Sequence, residues 1–524
     1  MKKKNLIIYS VLSFLVVAEV AGWATFTILA TKPKGGQEIQ MWVGSESVDY
    51  YRENVAEYKK ANPEYPYAID VVGADTGTAA AAMTNDNTAC PEIITIAHDN
   101  IGKLSQLGYI APIVENFDEG LLEQIAADNP ESFKKAIQNI LLKEEGVNYT
   151  FAVPYISQAL FLYYNKQYVT AEQAQTFESL EQAAIDYDTN NGTTGTKSYM
   201  VTGTDGYNFS FTLLARNLTE GNVSHLRLYE NGERNDCYNQ DNDQVAVLKW
   251  MQRSYENPHG GMLDFDGQWY IQPQNKKVLS VIGGAWHYSF FKNAVGEDNV
   301  GCAPIPTFTL TDADVEGIND VYYPNDEGIP EELRGQLDKA PVAGTVFRGG
   351  SFVDCKCFAI NMAKLDDKVD KTAEGTANKY KALCSLLKYL SSKETQNGSF
   401  LKASNVPAYS GSETYINGLN PTTDGVSASV ISMAKAQIGM SEYGIPQPFS
   451  DGTKNTYFYS KSTPDMYKNC IKKVSGAGGE SVEGMRRTLW RMEYIWKHGT
   501  SPKNDSLYPT SYPDETTVNR NKAA

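Results

Sequence analysis

The chain has little positive charge and few metal ligands for its length. Its 524 residues contain 47 Lys and Arg against 63 Asp and Glu, which gives a formal net charge of −16. This balance argues against nucleic-acid binding, because phosphate recognition needs clustered basic residues. The five His residues are widely spaced, which argues against a His-based metal site. We therefore expect no metal, no other cofactor and no nucleic-acid partner.

Cysteine is also scarce, with seven residues that show no metal-ligand spacing and no CxxC redox motif. Cys355 and Cys357 stand two residues apart on a predicted strand. Both should therefore point to the same face and serve as small core residues. One or two disulfides elsewhere remain open.

Motifs of three enzyme classes are missing as well. The sequence has no GxxxxGK[ST] loop for a nucleotidase, no GxSxG elbow for an esterase and no HExxH motif for a metalloprotease. What is present is a hydrophobic content of 41% with 11% aromatic residues. That composition is typical of a folded chain long enough for several domains or two large lobes.

The N-terminus carries a long apolar run. Three Lys residues at positions 2–4 precede about 25 mostly apolar residues that end at Ala30, and Glu19 is the one charge within them. The run is long enough to span a bilayer, so we expect an uncleaved anchor with the rest of the chain exported. A cleaved signal peptide is the alternative, since small residues at positions 20–24 could precede a cut.

Alternating strands and helices predict an α/β fold. Residues 38–43, 67–72 and 90–97 read as strands, and helical patterns over 47–62 and 76–83 connect them. This βαβαβ order predicts a mainly parallel sheet with right-handed crossovers, whose carboxyl edge carries loops 44–47 and 97–100. Further predicted elements are a long buried strand that passes between lobes (152–166), a surface insertion (307–350), a strand (352–361), and helices over 242–255, 377–391, 427–438, 464–474 and 481–498.

Residues 278–308 place a tryptophan at a strand-to-helix turn. Residues 278–282 read as a buried strand, Gly283 and Gly284 permit a tight turn, and a helix follows from Trp286. In open α/β sheets, ligands bind at the carboxyl ends of strands. Trp286 is therefore a ligand-binding candidate, and the alternative is a core residue that closes the turn.

Several segments, in order along the chain, resemble the extracellular solute-binding proteins of ABC importers, in particular the maltose/maltodextrin-binding branch. They are residues 91–113, 153–166, 281–291 with 304–308, and 388–396. The resemblance implies a periplasmic-binding-protein-like fold, in which two α/β lobes joined by a hinge hold the ligand between them. It also divides the chain into an anchor or signal peptide with linker (1–35), lobe one (36–156 with 306–407), lobe two (157–305 with 408–502) and a disordered tail (503–524).

The resemblance also implies a set of binding residues. Trp286 falls on the sugar-stacking tryptophan of the family, and Asp99 on an aspartate that accepts hydrogen bonds from sugar hydroxyls. Other matched positions are Ser45 and Glu46 in the first loop, Gln158 where relatives have a carboxylate, Tyr207, Asn208 and Phe211 in an aromatic loop, and Phe458 and Tyr459 in a last aromatic wall. Each has a structural alternative, as a core amide, a solvated charge or a packing residue.

Two positions depart from the maltodextrin pattern. Ile96 stands where that pattern has a tryptophan, and Asn100 where it has an arginine. These departures point to a ligand other than maltose.

The implied function is a non-catalytic, monomeric receptor on the extracellular face of the membrane, or a secreted one if the N-terminus is cleaved. It would capture a sugar or oligosaccharide and deliver it to an ABC permease and its ATPase. One alternative is an exported glycoside hydrolase, which needs two carboxyl groups about 5–9 Å apart. No motif fixes such a pair, and Gln158 removes one candidate carboxylate. A surface binding protein without a transport role is the other alternative.

Overall fold

The computed structural model describes residues 37–140, 148–201, 206–219, 242–264, 271–322, 325, 335, 337–366, 370–441, 444–446, 470–471 and 481–498. The predicted anchor or signal peptide, the predicted tail and most of the helix predicted over 464–474 lie outside these residues. Within the ranges given, no helix has both the length and the apolar character needed to cross a bilayer.

In chain order the strands are β1 (Glu38–Val43), β2 (Ala68–Gly73), β3 (Ile93–Ala97), β4 (Gln138–Ile140), β5 (Asn148–Thr150), β6 (Val153–Gln158), β7 (Leu160–Asn165), β8 (Lys197–Val201), β9 (Arg216–Asn217), β10 (Gly260–Asp264), β11 (Val278–Gly284), β12 (Val300–Ala303), β13 (Thr307–Thr309), β14 (Val321–Tyr322), β15 (Leu337–Asp338), β16 (Val346–Arg348), β17 (Ser351–Ile360) and β18 (Gly444–Pro446).

The α-helices are α1 (Val48–Ala61), α2 (Thr76–Asp86), α3 (Ile101–Gln106), α4 (Leu121–Asp128), α5 (Glu131–Ala136), α6 (Phe177–Asn191), α7 (Gly206–Leu213), α8 (Asn242–Glu256), α9 (Ile271–Gln274), α10 (Tyr288–Val295), α11 (Asp312–Val315), α12 (Ala373–Leu390), α13 (Lys393–Ala403), α14 (Ser412–Gly418), α15 (Ala428–Ser441) and α16 (Val482–His498). The predicted α/β class is confirmed.

The chain divides into two compact units. Unit one comprises the described residues up to Ser157 together with Asp354–Ser412, and unit two comprises Gln158–Val353 and the described residues from Glu413 onward. The chain therefore crosses from one unit to the other three times, and one of these crossings falls immediately before Asp354.

Unit one is built on the predicted βαβαβ arrangement. β1 pairs in parallel with β2, from Glu38 opposite Ala68 to Val43 opposite Gly73, and with β3 at Met41 opposite Ile93. β17 then runs antiparallel to β3, with Ile360 opposite Ile93. Because β1 and β3 are parallel, their carboxyl ends lie at one edge of the sheet, and the loops that follow them meet there.

Helix α12 packs against α1, α4 and α13 and buries the apolar face that its sequence predicts. Tyr380, Leu383, Leu387 and Leu390 are buried. Its one buried cation, Lys379, makes a 3.2 Å ion pair with Glu92, whose other carboxylate oxygen accepts a hydrogen bond from the Gln40 backbone N–H. Both charges are paired and hydrogen-bonded, as burial requires.

Unit two contains a sheet in the order β10-β8-β11-β7-β12. β11 is parallel to β8 and antiparallel to β7, and all seven of its residues are buried. The single long strand predicted over 152–166 is in fact two strands. β6 ends at Gln158, where the chain leaves unit one, and β7 begins at Leu160, whose backbone N–H donates to Ser351 Oγ at 2.7 Å.

The structure corrects the predicted place of residues 306–353. They were assigned to lobe one, and 307–350 to a surface insertion, yet they belong to unit two. There β16 pairs with β13 on one side and with β9 on the other. Phe308 has no exposed surface and stacks on Trp250, with ring centroids 3.8 Å apart. This aromatic packing, between residues distant in sequence, holds the segment in unit two.

Shortening Phe308 should destabilise unit two in particular. We expect Phe308→Leu to lower the free energy of unfolding by about 1–2 kcal/mol, because it removes the stacked ring while conserving most of the volume. The check is hydrogen exchange, with faster exchange expected in β13 and β16 and unchanged exchange in β1–β3. Faster exchange in β1–β3 instead would support the lobe-one assignment.

The cysteine pair follows its prediction. Cys355 and Cys357 lie on β17, both are buried, and their sulfurs are 3.6 Å apart without a covalent bond. The other thiols placed by the structure, those of Cys90, Cys302, Cys384 and Cys470, are free as well.

Candidate functional site

The first candidate group lies at the carboxyl edge of the unit-one sheet, in the turn after β1. Ser45 and Glu46 are both exposed. The turn closes through a 2.8 Å hydrogen bond from the Ser47 N–H to the Gly44 carbonyl, and Ser47 Oγ accepts from Asn405 Nδ2 at 2.8 Å. The Glu46 carboxylate folds back over Gly44, where a methyl group would overlap it. The absence of a Cβ at Gly44 therefore leaves room for the Glu46 carboxylate.

Asp99 lies in the neighbouring turn, directly after β3. It is half-buried, and Asn100 Nδ2 donates to its Oδ1 at 2.7 Å. Burial and the negative charge of Asp354 raise the pKa of Asp99 from 3.8 to about 6, while the charge of His98 opposes the rise. Above that pH the carboxylate can accept two or more hydrogen bonds, as the predicted contact with hydroxyl groups requires.

Sequence reasoning missed two residues beside Asp99. His98 Nδ1 contacts the Asp354 carboxylate, and both side chains are buried. Burial alone lowers the pKa of His98, but the charge and hydrogen bond of Asp354 outweigh it and raise the pKa to about 10. An aspartate inside an apolar strand, within FVDCKC, was the available signal, because a buried carboxylate requires a partner.

The second candidate group lies in unit two, around Trp286. The strand-to-helix turn predicted here is confirmed, since β11 runs into a 3₁₀ turn at Ala285–His287 and then into α10. Tyr163 Oη donates to the Gly284 carbonyl at 3.0 Å and fixes the end of the strand. Trp286 is half-buried, and its ring centroid is 5.7 Å from that of Tyr207.

The two glycines before Trp286 provide space rather than a left-handed turn. Gly284 has extended backbone angles, with φ −104° and ψ 177°. A Cβ on Gly284 would collide with the Trp286 indole, and one on Gly283 would lie 2.6 Å from His287 Nδ1. The indole of Trp286 and the imidazole of His287 therefore fold back over β11.

Because Gly284 leaves room for the indole, Gly284→Ala should displace the Trp286 ring while the tryptophan itself is retained. We expect ligand affinity to fall about 10-fold, roughly 1.4 kcal/mol, if the indole face contacts ligand. Titration calorimetry measures the loss, and the tryptophan near-ultraviolet circular dichroism reports the ring movement. The matched control is Gly192→Ala at a surface position with no atom near its Cβ, whose positive φ of 63° costs stability but should leave affinity unchanged. A displaced ring with undiminished affinity would contradict the ligand role of Trp286.

The other predicted residues of unit two differ in accessibility. Tyr207 is half-buried between Trp286 and Phe352, where its aromatic face could add to the platform. Asn208 and Gln158 are buried, with 3% and 6% of their surfaces exposed. Phe211 has no exposed surface and packs 6.1 Å from Phe177, which matches its structural alternative as a core residue.

Phe458 and Tyr459 lie outside the residues that the structure describes. Among the residues it does describe, no three His, Cys, Asp or Glu side chains are grouped in a way that could hold a metal ion. The described candidate residues thus form two separate groups: acceptor oxygens in unit one, and an aromatic platform in unit two.

Comparison with known proteins places this arrangement in context. A family model for bacterial extracellular solute-binding proteins matches residues 44–330. Among solved structures, the chain resembles the unliganded maltodextrin-binding protein MalE1 of L. casei BL23, with a TM-score of 0.58, 17% identity, and coverage of 88% of this chain and 100% of that one. A search of curated proteins found none that matches the sequence.

Two further structures resemble the chain to the same degree. One is MalX of Streptococcus pneumoniae in complex with maltopentaose, with a TM-score of 0.58, 17% identity, and coverage of 87% of this chain and 100% of that one. The other is the maltose-binding protein MalE of Listeria monocytogenes in complex with maltose, with a TM-score of 0.57, 15% identity, and coverage of 91% and 99%. At these identities the likeness concerns the fold.

Proposed function

Because the chain belongs to the bacterial extracellular solute-binding proteins, we propose that it is a carbohydrate receptor that captures a sugar or oligosaccharide outside the cell and delivers it to an ABC permease. The observation that carries the proposal is the half-exposed indole of Trp286 at the carboxyl end of β11, with Tyr207 beside it. A flat aromatic face suits the C–H face of a pyranose ring, and it loses little side-chain entropy on binding.

Polar side chains of unit one are proposed to bind sugar hydroxyl groups. Glu46 and Asp99 present carboxylates, and Ser45 a hydroxyl, at the edge where the β1 and β3 loops meet. Carboxylates accept hydrogen bonds from sugar hydroxyls and so fix the orientation of the ring. Gln158, Tyr207, Asn208, Phe458 and Tyr459 are proposed as further contacts, and Phe211 as packing behind them.

The structural relatives indicate which ligands to test first. Solved structures of these relatives are complexes with maltose, maltotetraose, maltopentaose and acarbose. Ile96 and Asn100 replace the tryptophan and arginine of the maltodextrin pattern, so we propose that the preferred ligand is a carbohydrate other than maltose. Affinity then comes from one aromatic platform and a few hydroxyl contacts.

The test is titration calorimetry of the purified chain against a panel of mono- and oligosaccharides, with amino acids and short peptides as a comparison class. Binding of at least one carbohydrate, lost in Trp286→Ala, is the expected result. Binding of amino acids or peptides with no carbohydrate binding would refute the sugar assignment. Release of shorter sugars from a bound oligosaccharide would instead indicate a hydrolase.

We also propose that the N-terminal apolar run is retained as a membrane anchor. Tethering keeps the receptor near its permease and raises its effective concentration there. Mass spectrometry of the chain recovered from membranes tests this, because an uncleaved chain keeps its 57.9 kDa mass. A shorter chain in the culture medium would show cleavage and secretion.

The receptor is proposed to act as a monomer. Size-exclusion chromatography with light scattering, in the detergent that keeps the chain soluble, should give one 57.9 kDa protein per particle. A protein mass of twice that value would contradict it.

A further inference from the structure

Asp354 occupies a distinctive place in the fold. It is the first residue of unit one after the chain returns from unit two, and it lies on β17. The antiparallel register sets Lys356 opposite Ala97 at the end of β3. Asp354 precedes Lys356 by two residues on β17 and therefore lies beside the turn of residues 98–100 that carries Asp99.

The Asp354 carboxylate is 93% buried and pairs with His98, whose side chain is 99% buried. A buried carboxylate is stable as an anion only with a hydrogen-bonded partner, and His98 can supply a positive charge. The pKa of about 10 for His98 agrees with an imidazolium at neutral pH.

The other titratable groups that face this pair are Cys355 and Asp99. Cys355 is the neighbouring titratable group on β17, and burial raises the pKa of its thiol well above the usual range, so it stays neutral. Asp99 lies on the same turn as His98, and the charges of both His98 and Asp354 act on it. The cluster therefore holds one cation and two carboxylates.

We propose that His98 and Asp354 are positioning residues, a buried ion pair that holds the turn of residues 98–100 against β17 and sets the charge that Asp99 presents to the ligand. The contact of Asp99 with ligand rests on the proposed function, whereas the pairing itself does not. The burial of both partners and the register of β17 support the pair.

Removing either partner should have a different effect. Asp354→Asn removes the partner that raises the pKa of His98, and it removes the negative charge that raises the pKa of Asp99. His98→Gln leaves the Asp354 carboxylate buried without a cation, which is the more damaging state. Adding Asp354→Asn to His98→Gln should then restore stability, because two amides can pair.

The experiment uses the full-length chain in mild detergent and needs no ligand. Thermal unfolding is followed between pH 3.5 and 8 for each background chain and for the same chain with Asp99→Asn added. The pH midpoint at which the difference in stability between the two develops reports the titration of Asp99. In the Asp354→Asn background we expect this midpoint to move lower, by up to about one pH unit, because Asp354 raises the pKa of Asp99 by more than the charge of His98 lowers it. A midpoint that does not move overturns the proposal.

A matched control separates charge from structural damage. Asp118 is another buried carboxylate of unit one, and it accepts a 2.8 Å hydrogen bond from the Leu122 N–H in the first turn of α4. Asp118→Asn should lower the melting temperature and leave the Asp99 midpoint in place. If Asp354→Asn is too unstable to measure, the double variant His98→Gln/Asp354→Asn carries the same expected shift to lower pH. Failure of the double variant to recover the stability lost in His98→Gln also overturns the pairing.

A ligand arm distinguishes this inference from the proposed function. The affinity for the best sugar of the panel should fall as the pH drops through about 6, and the midpoint of that fall should move lower in Asp354→Asn. If the unfolding midpoint moves but no carbohydrate binds at any pH, the ion pair stands and the carbohydrate assignment fails. If sugar binds but neither midpoint moves, the carbohydrate assignment stands and the positioning role fails.

Discussion

Replacing Trp286 with alanine is expected to weaken carbohydrate binding about 100-fold, roughly 2.7 kcal/mol, while the protein remains folded. The loss follows from the removal of the flat apolar face on which a sugar ring can stack. The fold should survive because Trp286 is half-exposed and lies in a one-turn 3₁₀ helix. Titration calorimetry and thermal unfolding measure the two effects separately.

Phe290 provides a matched control for this prediction. It is an aromatic residue on the following helix, α10, and 48% of its surface is exposed. Phe290→Ala should leave affinity unchanged, and Trp286→Phe should retain part of it. If Trp286→Ala keeps full affinity but loses several kcal/mol of stability, Trp286 is the core residue of the alternative interpretation.

Asp99→Asn is expected to lower affinity about 100-fold and, at neutral pH, to make the chain more stable. The affinity falls because a carboxylate has two oxygens that accept hydrogen bonds from hydroxyl groups, whereas an amide has only one. The stability rises because the pKa of Asp99 is raised to about 6 from 3.8, so the ionised carboxylate is disfavoured in the folded state. The difference between these two pKa values corresponds to about 3 kcal/mol in the free energy of unfolding. Solvent screening at this half-exposed residue reduces the expected gain to about 1–2 kcal/mol.

The sign of this effect gives it a characteristic pH dependence. A carboxyl group with a raised folded-state pKa favours folding below about pH 4, and this advantage is lost as the pH rises through about 6. The stability gain of Asp99→Asn should therefore appear above pH 4 and level off above pH 6. Asp49→Asn, at a carboxylate whose side chain is 96% exposed, should change neither affinity nor this curve. A destabilised Asp99→Asn would contradict the prediction.

Local patterns were sufficient where an element depends on its own residues. The strand at Glu38–Val43 and the helix that begins at Thr76 were predicted from local composition, and the structure adds Asp75, which accepts from the Gly77 and Thr78 N–H groups as the N-cap of that helix. The strand-to-helix turn at Trp286 also follows from local composition. In each case the decisive contacts lie within a few residues of one another.

Contacts between distant residues decided what the sequence did not predict. Residues 306–353 belong to unit two because Phe308 stacks on Trp250 and β16 pairs with β9, and no local pattern encodes either contact. The break at Ala159 was missed because the run is almost wholly buried on both sides of it, and Gln158 before it is buried as well. Asp354 was missed because its partner, His98, lies far away in sequence.

The three crossings between the units have a consequence for the order of folding. β17 completes the unit-one sheet by pairing Ile360 with Ile93, so the whole of Gln158–Val353 must be synthesised before that pairing can form. Until then the apolar edge of β3 has no neighbour on that side. Pairings between strands so distant in sequence close slowly and leave an edge open to aggregation in the meantime. We therefore expect the pairing of β17 with β3 to form late and to limit the rate at which unit one refolds from denaturant.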